Sequence, residues 1–335
     1  MTKPSILSIV LLILIGISLI SLDTDSTGKI EKWEMPEVIF PEDNPLTNES
    51  VELGAALFSE RLFSKDTSIS CQTCHSTFMA LTDQLAVGEG VFGRQVTRNT
   101  PTLNNVGLHP YFMKDGKFNT LEEQVLGPIK DHREFDIEPE ELLKRLKTVS
   151  YLNDMSLKAY DSELTIEIIQ KAIANFERVL VSENTPFDAF MKGDRTAISK
   201  SAINGYELFK SKELNCIECH SGFDFSDYSF QNNGTFKVYT DSGRALITKD
   251  KTDIGKFKVP TLRNINLTFP YMHDGSLNTL KEVILHYNSG GQIHKNKSPL
   301  IKPLNLTEEE INDLVTFLYT LSDYAFITNT NLKDE

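Results

Sequence analysis

At 335 residues the chain has room for two domains of ordinary size, and 40% apolar residues suffice for packed cores. A formal net charge of −13 argues against a nucleic-acid-binding role, which requires a basic face, and is compatible with a basic protein partner.

Residues 5–22 are nearly continuous apolar sequence after Lys3. They read as a secretory signal or an uncleaved membrane anchor, with no A-x-A cleavage site and no nearby Cys for lipid attachment. Both alternatives export the chain to the periplasm, with the anchor tethering it to the inner membrane. Residues 1–22 are therefore set apart from the fold, and residues 23–47, rich in Pro and acids, read as an extended lead-in.

Leu53, Ala56 and Leu57 give a helical stripe over residues 49–58. Cys71-Gln72-Thr73-Cys74-His75 follows, a C-x-x-C-H run of the kind that attaches c-type haem. Two thiols on one turn form thioethers to the haem vinyl groups, and the adjoining His sits under the iron. The pattern returns as Cys216-Ile217-Glu218-Cys219-His220. A lone C-x-x-C would also fit a zinc half-site or a redox pair. Here a His follows both copies, and the two motifs use all four cysteines, so none is left for a disulfide. Two covalently bound haems are expected, on His75 and His220.

A glycine-rich, turn-prone stretch runs from Gly88 to Arg94, and Pro101 enforces extended backbone beyond it. The clearest helical pattern covers residues 162–182, with Ile166, Ile169, Ile173, Phe176 and Leu180 on one stripe. Ser182–Arg195, with Pro186 and Gly193, reads as the passage between domains, and a second unit starts at Ser199. The last helix begins at Thr307, where Glu310 completes a capping box, and buries Ile311, Leu314, Leu318 and Leu321.

An internal repeat sets the architecture. Gly54-x-x-Leu57-Phe58 and Gly205-x-x-Leu208-Phe209 each precede a haem motif. Downstream, residues 101–123 align without a gap on residues 260–282, pairing Asn105 with Asn264, Met113 with Met272 and Asp115 with Asp274. Strand signal is sparse. The expected fold is mostly α, with two tandem cytochrome-c-like haem domains at 48–195 and 196–327.

The ordered set LFSERLFSKDTSISCQTCH, RNTPTL, LEEQVLGPI, PYMHDG and HYNSGG, spread over residues 49–325, resembles the bacterial di-haem cytochrome c peroxidase family, which includes the MauG-like enzymes. The resemblance implies that the amino-terminal haem meets hydrogen peroxide and the carboxy-terminal haem collects electrons. It places a Gln and, ten residues later, a Glu beside the peroxide, and Gln124 and Glu134 match. A displaceable His ligand found in many members falls at Val91, which cannot ligate iron, so no reductive activation is expected. The sixth ligand of the second haem falls at Tyr287, as in MauG-like members, with Met272 as the alternative. The family's inter-haem Trp falls at Lys114, leaving Tyr111, Phe112 and His273 as candidates near the junction. An inter-domain calcium is implied at Asn99, Thr268 and Pro270, whose oxygens suit that ion.

Three functions follow: peroxide reduction with electrons from a small cytochrome c or cupredoxin, MauG-like oxidation of a Trp or Tyr of a protein substrate, and a non-catalytic di-haem electron carrier. Gln124 and Glu134 argue against the third. The sequence leaves a homodimer open.

Overall fold

A computed structural model describes residues 33–328. The proposed signal or anchor at 1–22 lies outside the described residues. Among those described, no helix is long and apolar enough to cross a membrane. The lead-in from 33 to 47 carries no helix or strand, and Met35 begins the unit that holds all the elements below.

In chain order the helices are α1 (Asn48–Ser59), α2 (Cys71–Cys74), α3 (Leu121–Lys130), α4 (Pro139–Leu146), α5 (Ser150–Tyr160), α6 (Ile166–Arg178), α7 (Pro186–Met191), α8 (Lys200–Phe209), α9 (Ala245–Thr248), α10 (Leu280–Asn288), α11 (Glu308–Tyr319) and α12 (Tyr324–Thr328). The strands β1 (Phe230–Gln231) and β2 (Phe257–Lys258) form a small antiparallel pair, Phe230 opposite Lys258. The molecule is mostly helical, as the pattern predicts.

Each haem motif is preceded by a helix that packs on a partner from the end of its own half. In the first half α1 lies on α6. Gly54 makes the approach close, since an added Cβ would overlap the Ala172 carbonyl oxygen and lie 2.7 Å from the Phe176 Cβ. In the second half α8 lies on α11 in the same way, Gly205 facing the Asp313 carbonyl with Phe317 Cβ at 2.9 Å. The aromatic packing repeats as well. Phe58 lies 5.1 Å from Phe176 and 6.3 Å from His75; Phe209 lies 5.1 Å from Phe317 and 6.5 Å from His220. Leu53, Leu57 and Ile169 are buried in the first core, worth about 1.5–3 kcal/mol each by burial alone.

The repeated asparagines explain why residues 101–123 and 260–282 align. Asn105 and Asn264 both sit in the left-handed region (φ 54° and 59°), where Asn is better tolerated than most residues. The Asn105 amide nitrogen donates to the Leu180 carbonyl and its Oδ1 accepts from Ser182 N. Asn264 N donates to the Leu321 carbonyl and its Oδ1 accepts from Asp323 N. Each repeat is thus stitched to the chain just after its own long helix.

Three details differ from the sequence pattern. The helix expected over 162–182 spans Ile166–Arg178. Thr165 caps its start, and its end is closed by Val179 and Leu180 turning back onto the last carbonyls. The helix starting after Thr307 has the expected capping box and buried stripe but is not the last, because α12 follows it. The passage at 182–195 is a packed element. On α7, Phe187 is fully buried against Tyr206, Phe225 and Phe317 of the second half, and its N–H donates to the Thr320 carbonyl. A short local period cannot reveal this, because all the partners lie outside the segment.

Candidate functional site

The two C-x-x-C-H turns are built alike. His75 N donates to the Cys71 carbonyl and His220 N to the Cys216 carbonyl, both at 2.9 Å, which closes one turn and places both thiols beside the imidazole. The Nδ1–H of His75 donates to the Leu81 carbonyl and that of His220 to the Phe225 carbonyl, both at 3.0 Å. A carbonyl only accepts, so this fixes the proton on Nδ1 and leaves the Nε2 lone pair for a metal. Burial lowers the pKa of both imidazoles, which keeps them neutral. All four thiols are free, and burial pushes each of them up. Paired free thiols beside a neutral, oriented imidazole fit covalent haem c at both places.

In the first half, α3 carries Gln124, half-buried, whose Nε2 donates to the Met113 sulfur at 3.6 Å. Pro128 has no N–H, which deprives the Gln124 carbonyl of its helical partner. After α3 the chain doubles back, Phe135 N to the Pro128 carbonyl and Ile137 N to the Ile129 carbonyl. This turn carries Glu134. Burial first, then the neighbouring Asp131 charge, pushes its carboxyl up to about 7, with Lys117 opposing. The Glu134 charge is felt by both Cys71 and Cys74, which puts it at the first haem site. No hydrogen bond joins Gln124 and Glu134 among the described residues. The glycine-rich loop closes over the Glu134 turn, with Val91 fully buried and its N–H donating to the Glu134 carbonyl at 2.8 Å.

Opposite the second motif, Tyr287 on α10 is held by the Asn233 side chain and feels the charges of Cys216 and Cys219. Removal from water pushes its phenol up to about 12. Met272 is in the same place, its sulfur accepting from Asn233 Nδ2 at 3.2 Å. Asn233 also receives His286 Nε2–H on its carbonyl at 3.0 Å. Asn233 stands between His220 and Pro260, a stretch longer than its counterpart between His75 and Pro101, so the repeat gives no hint of it.

The halves meet around Arg98. Its guanidinium binds Asp241 of the second half through two hydrogen bonds of 2.6 and 3.0 Å and Asp115 through one of 2.8 Å. Lys114 lies beside it, and burial lowers its ammonium to about 8 with Arg98 adding repulsion. The His273 ring stacks on Phe257 at 4.0 Å, and its carbonyl accepts from Asn99 N at 2.9 Å. Asn99 Nδ2 donates to the Leu85 carbonyl, and Gln84 Nε2 donates to the Leu267 carbonyl across the same seam. Thr268 and Pro270 follow directly, and Asn99 Oδ1 receives no protein donor among the described residues.

Two buried clusters carry no sequence signal. Glu177 on α6 is 5% exposed with Oε2 unpartnered; burial pushes it up to about 8, and its charge acts on Cys71. In the second cluster Lys258 Nζ lies 3.1 Å from His109 Nδ1, and His109 Nε2 lies 3.4 Å from Asp224, beside a cavity of about 570 Å³. Both depend on pairs far apart in sequence.

Comparison with known proteins agrees with this layout. A family model described as di-haem cytochrome c peroxidase matches residues 48–196, and a cytochrome c model matches residues 202–322. The methylamine utilization protein MauG of Methylorubrum extorquens is 37% identical over 297 residues, 87% of this chain and 83% of that one. A cytochrome c551 peroxidase of Nitrosomonas europaea is 34% identical over 83% of this chain and 81% of that one. A solved MauG-like protein associated with microbial copper homeostasis superposes with a TM-score of 0.85 at 30% identity, over 90% of this chain and 98% of its own.

Proposed function

The chain belongs to the di-haem cytochrome c peroxidase family, and from that premise we propose that it reduces hydrogen peroxide to water at the His75 side with electrons collected at the His220 side. Bound at His75, haem iron supplies the electrons and the Lewis acidity that O–O cleavage requires. The observation that carries the reading is Glu134, a carboxyl poised near neutrality beside the first attachment site. A base of that pKa takes a proton from one peroxide oxygen and returns it to the other, which leaves as water. With two electrons and two further protons, both oxygens end as water. Gln124 supports by offering an amide donor from the adjoining helix.

Val91 fills the place of a reserve ligand with a buried apolar side chain, so the first site stays open without prior reduction. Tyr287 is our assignment for the sixth ligand at His220, with Met272 beside it as the alternative. As a ligand the phenol would give up the proton that burial otherwise holds on it. Asn99, Thr268 and Pro270 are assigned to a calcium ion at the seam, where Asn99 Oδ1 is free to coordinate. We place the protein in the periplasm, reached through residues 5–22.

A second reading, MauG-like oxidation of a Trp or Tyr in a partner protein, is favoured by Tyr287. The test for both is the electron paramagnetic resonance spectrum of the ferric holoprotein with steady-state peroxide consumption. One high-spin and one low-spin centre with fast donor-dependent turnover supports the peroxidase. Slow turnover with a long-lived oxidised state points to the second reading. Two low-spin centres, with activity only after one-electron reduction, would overturn the open first site.

A further inference from the structure

The protein is acidic overall, yet the cover of its second haem motif is basic. The two loops that form this cover carry Lys237, Lys295, Lys297 and Lys302, in a chain of net charge −13. No Asp or Glu occurs between Glu282 and Glu308, nor between Asp227 and Asp241. These two acid-free stretches are joined in space. Gln292 N donates to the Gly234 carbonyl at 2.7 Å, and Ser298 N donates to the Asn232 carbonyl at 2.9 Å. The Tyr239 and His294 rings lie 5.2 Å apart.

From the paired loops project two apolar side chains, Val238 at 80% exposed and Ile293 at 84%. Each adjoins one of the two packed rings, so they flank the same contact. Around them Lys237, Lys295 and Lys302 are exposed and form no salt bridge among the described residues. Lys297 completes the rim, with its Nζ donating to the Gly290 carbonyl. The same loops carry Asn233, the hydrogen-bond partner of Tyr287 and Met272. This surface is therefore the outer wall of the Tyr287 side of the second haem site. An apolar centre with a charged rim is the anatomy of a transient protein interface.

We propose that this face docks the electron donor, and that the donor is a small acidic redox protein with an apolar patch around its own centre. The inference rests on the electron-collecting role proposed for the His220 side. It reverses what net charge alone suggests, because at contact distance the local lysines act and the remote acids are screened beyond about 8 Å at physiological ionic strength. Complementary rim charges act chiefly on the rate of encounter and its salt dependence.

The test uses the ferric holoprotein immobilised for surface plasmon resonance, with an acidic cupredoxin such as plastocyanin and basic mitochondrial cytochrome c as probes. The acidic carrier binds more tightly at low salt. Binding weakens at least about fivefold in K237E/K295E, with a flatter salt dependence. I293S weakens it at all salt concentrations. Peroxide turnover with a small-molecule reductant is unchanged in these variants, which shows that they remain folded. Tighter binding of the basic carrier, or no effect of charge reversal, overturns the proposal. So does binding by the same lysines to anionic vesicles but not to the carrier. If turnover with the small-molecule reductant is absent in the wild type, the peroxidase reading fails, while the binding comparison still decides the docking face.

Discussion

If Glu134 is the proton-handling group proposed above, its raised carboxyl gives the reaction a pH signature. Its carboxyl is raised to about 7, so below that it holds a proton and cannot accept one from peroxide. The kcat/KM for peroxide should rise with pH through about 7 and level off above it. Glu134→Gln keeps the shape and removes the base. It should lower kcat/KM by roughly 10²–10⁴-fold and abolish the rise; a variant that keeps the profile would assign the titration to another group. Val91 offers a complementary change. It is buried in the loop that closes over Glu134, so Val91→His would place an imidazole where a reserve ligand could form. The ferric V91H protein should show a low-spin first haem and little activity until it gains one electron. Full activity of ferric V91H would mean that the loop does not present position 91 to the iron.

At the scale of elements, the paired contacts α1–α6 and α8–α11 carry the repeat. Replacing an exposed helical Gly by Ala normally stabilises by up to about 1 kcal/mol. At Gly205 the sign reverses, since the new methyl would overlap the Asp313 backbone. G205A should destabilise by about 1–3 kcal/mol in denaturant unfolding, as overpacking does, and G54A should do the same in the other half. The repeat was legible in the sequence because the glycine, the Leu-Phe pair and the haem motif recur at matching places, whereas the pairing with α6 and α11, which lie far along the chain, was not. The capping box at Thr307 and the buried stripe of α11 were legible for a similar reason, being local. Asn233 was not, because it lies in an unrepeated stretch and its partners are 39 and 54 positions away. Glu177 carries no local signal, being one polar residue on an amphipathic helix; only the folded chain buries it within reach of Cys71. Phe187 was hidden by Pro186 and Gly193, which signal a linker even where a six-residue helix is packed into a core.

At the scale of the whole molecule, two haem units become one enzyme only if their relative position is fixed, since electrons must pass from one to the other. A cluster of polar contacts crosses the seam. Arg98 of the first half grips Asp241 of the second and Asp115 of its own, with side chains only 18%, 17% and 8% exposed. Arg244 of the second half reaches back to the Asp115 and Gly116 carbonyls at 2.9 and 2.7 Å. Removing one partner from such a cluster leaves the remaining charges poorly solvated and typically costs about 3–5 kcal/mol, more than the intact pair contributes. Arg98→Met should therefore destabilise the holoprotein by an amount in the lower part of that range, since the site is not fully dry. The triple variant R98M/D115N/D241N, which removes the stranded charges as well, should recover much of the loss. The haem motifs lie outside this cluster, so both haem spectra should survive in R98M, while electron transfer from the second haem to the first slows. Equal stability of the single and triple variants would show that the seam is held by packing and not by the Arg98 cluster.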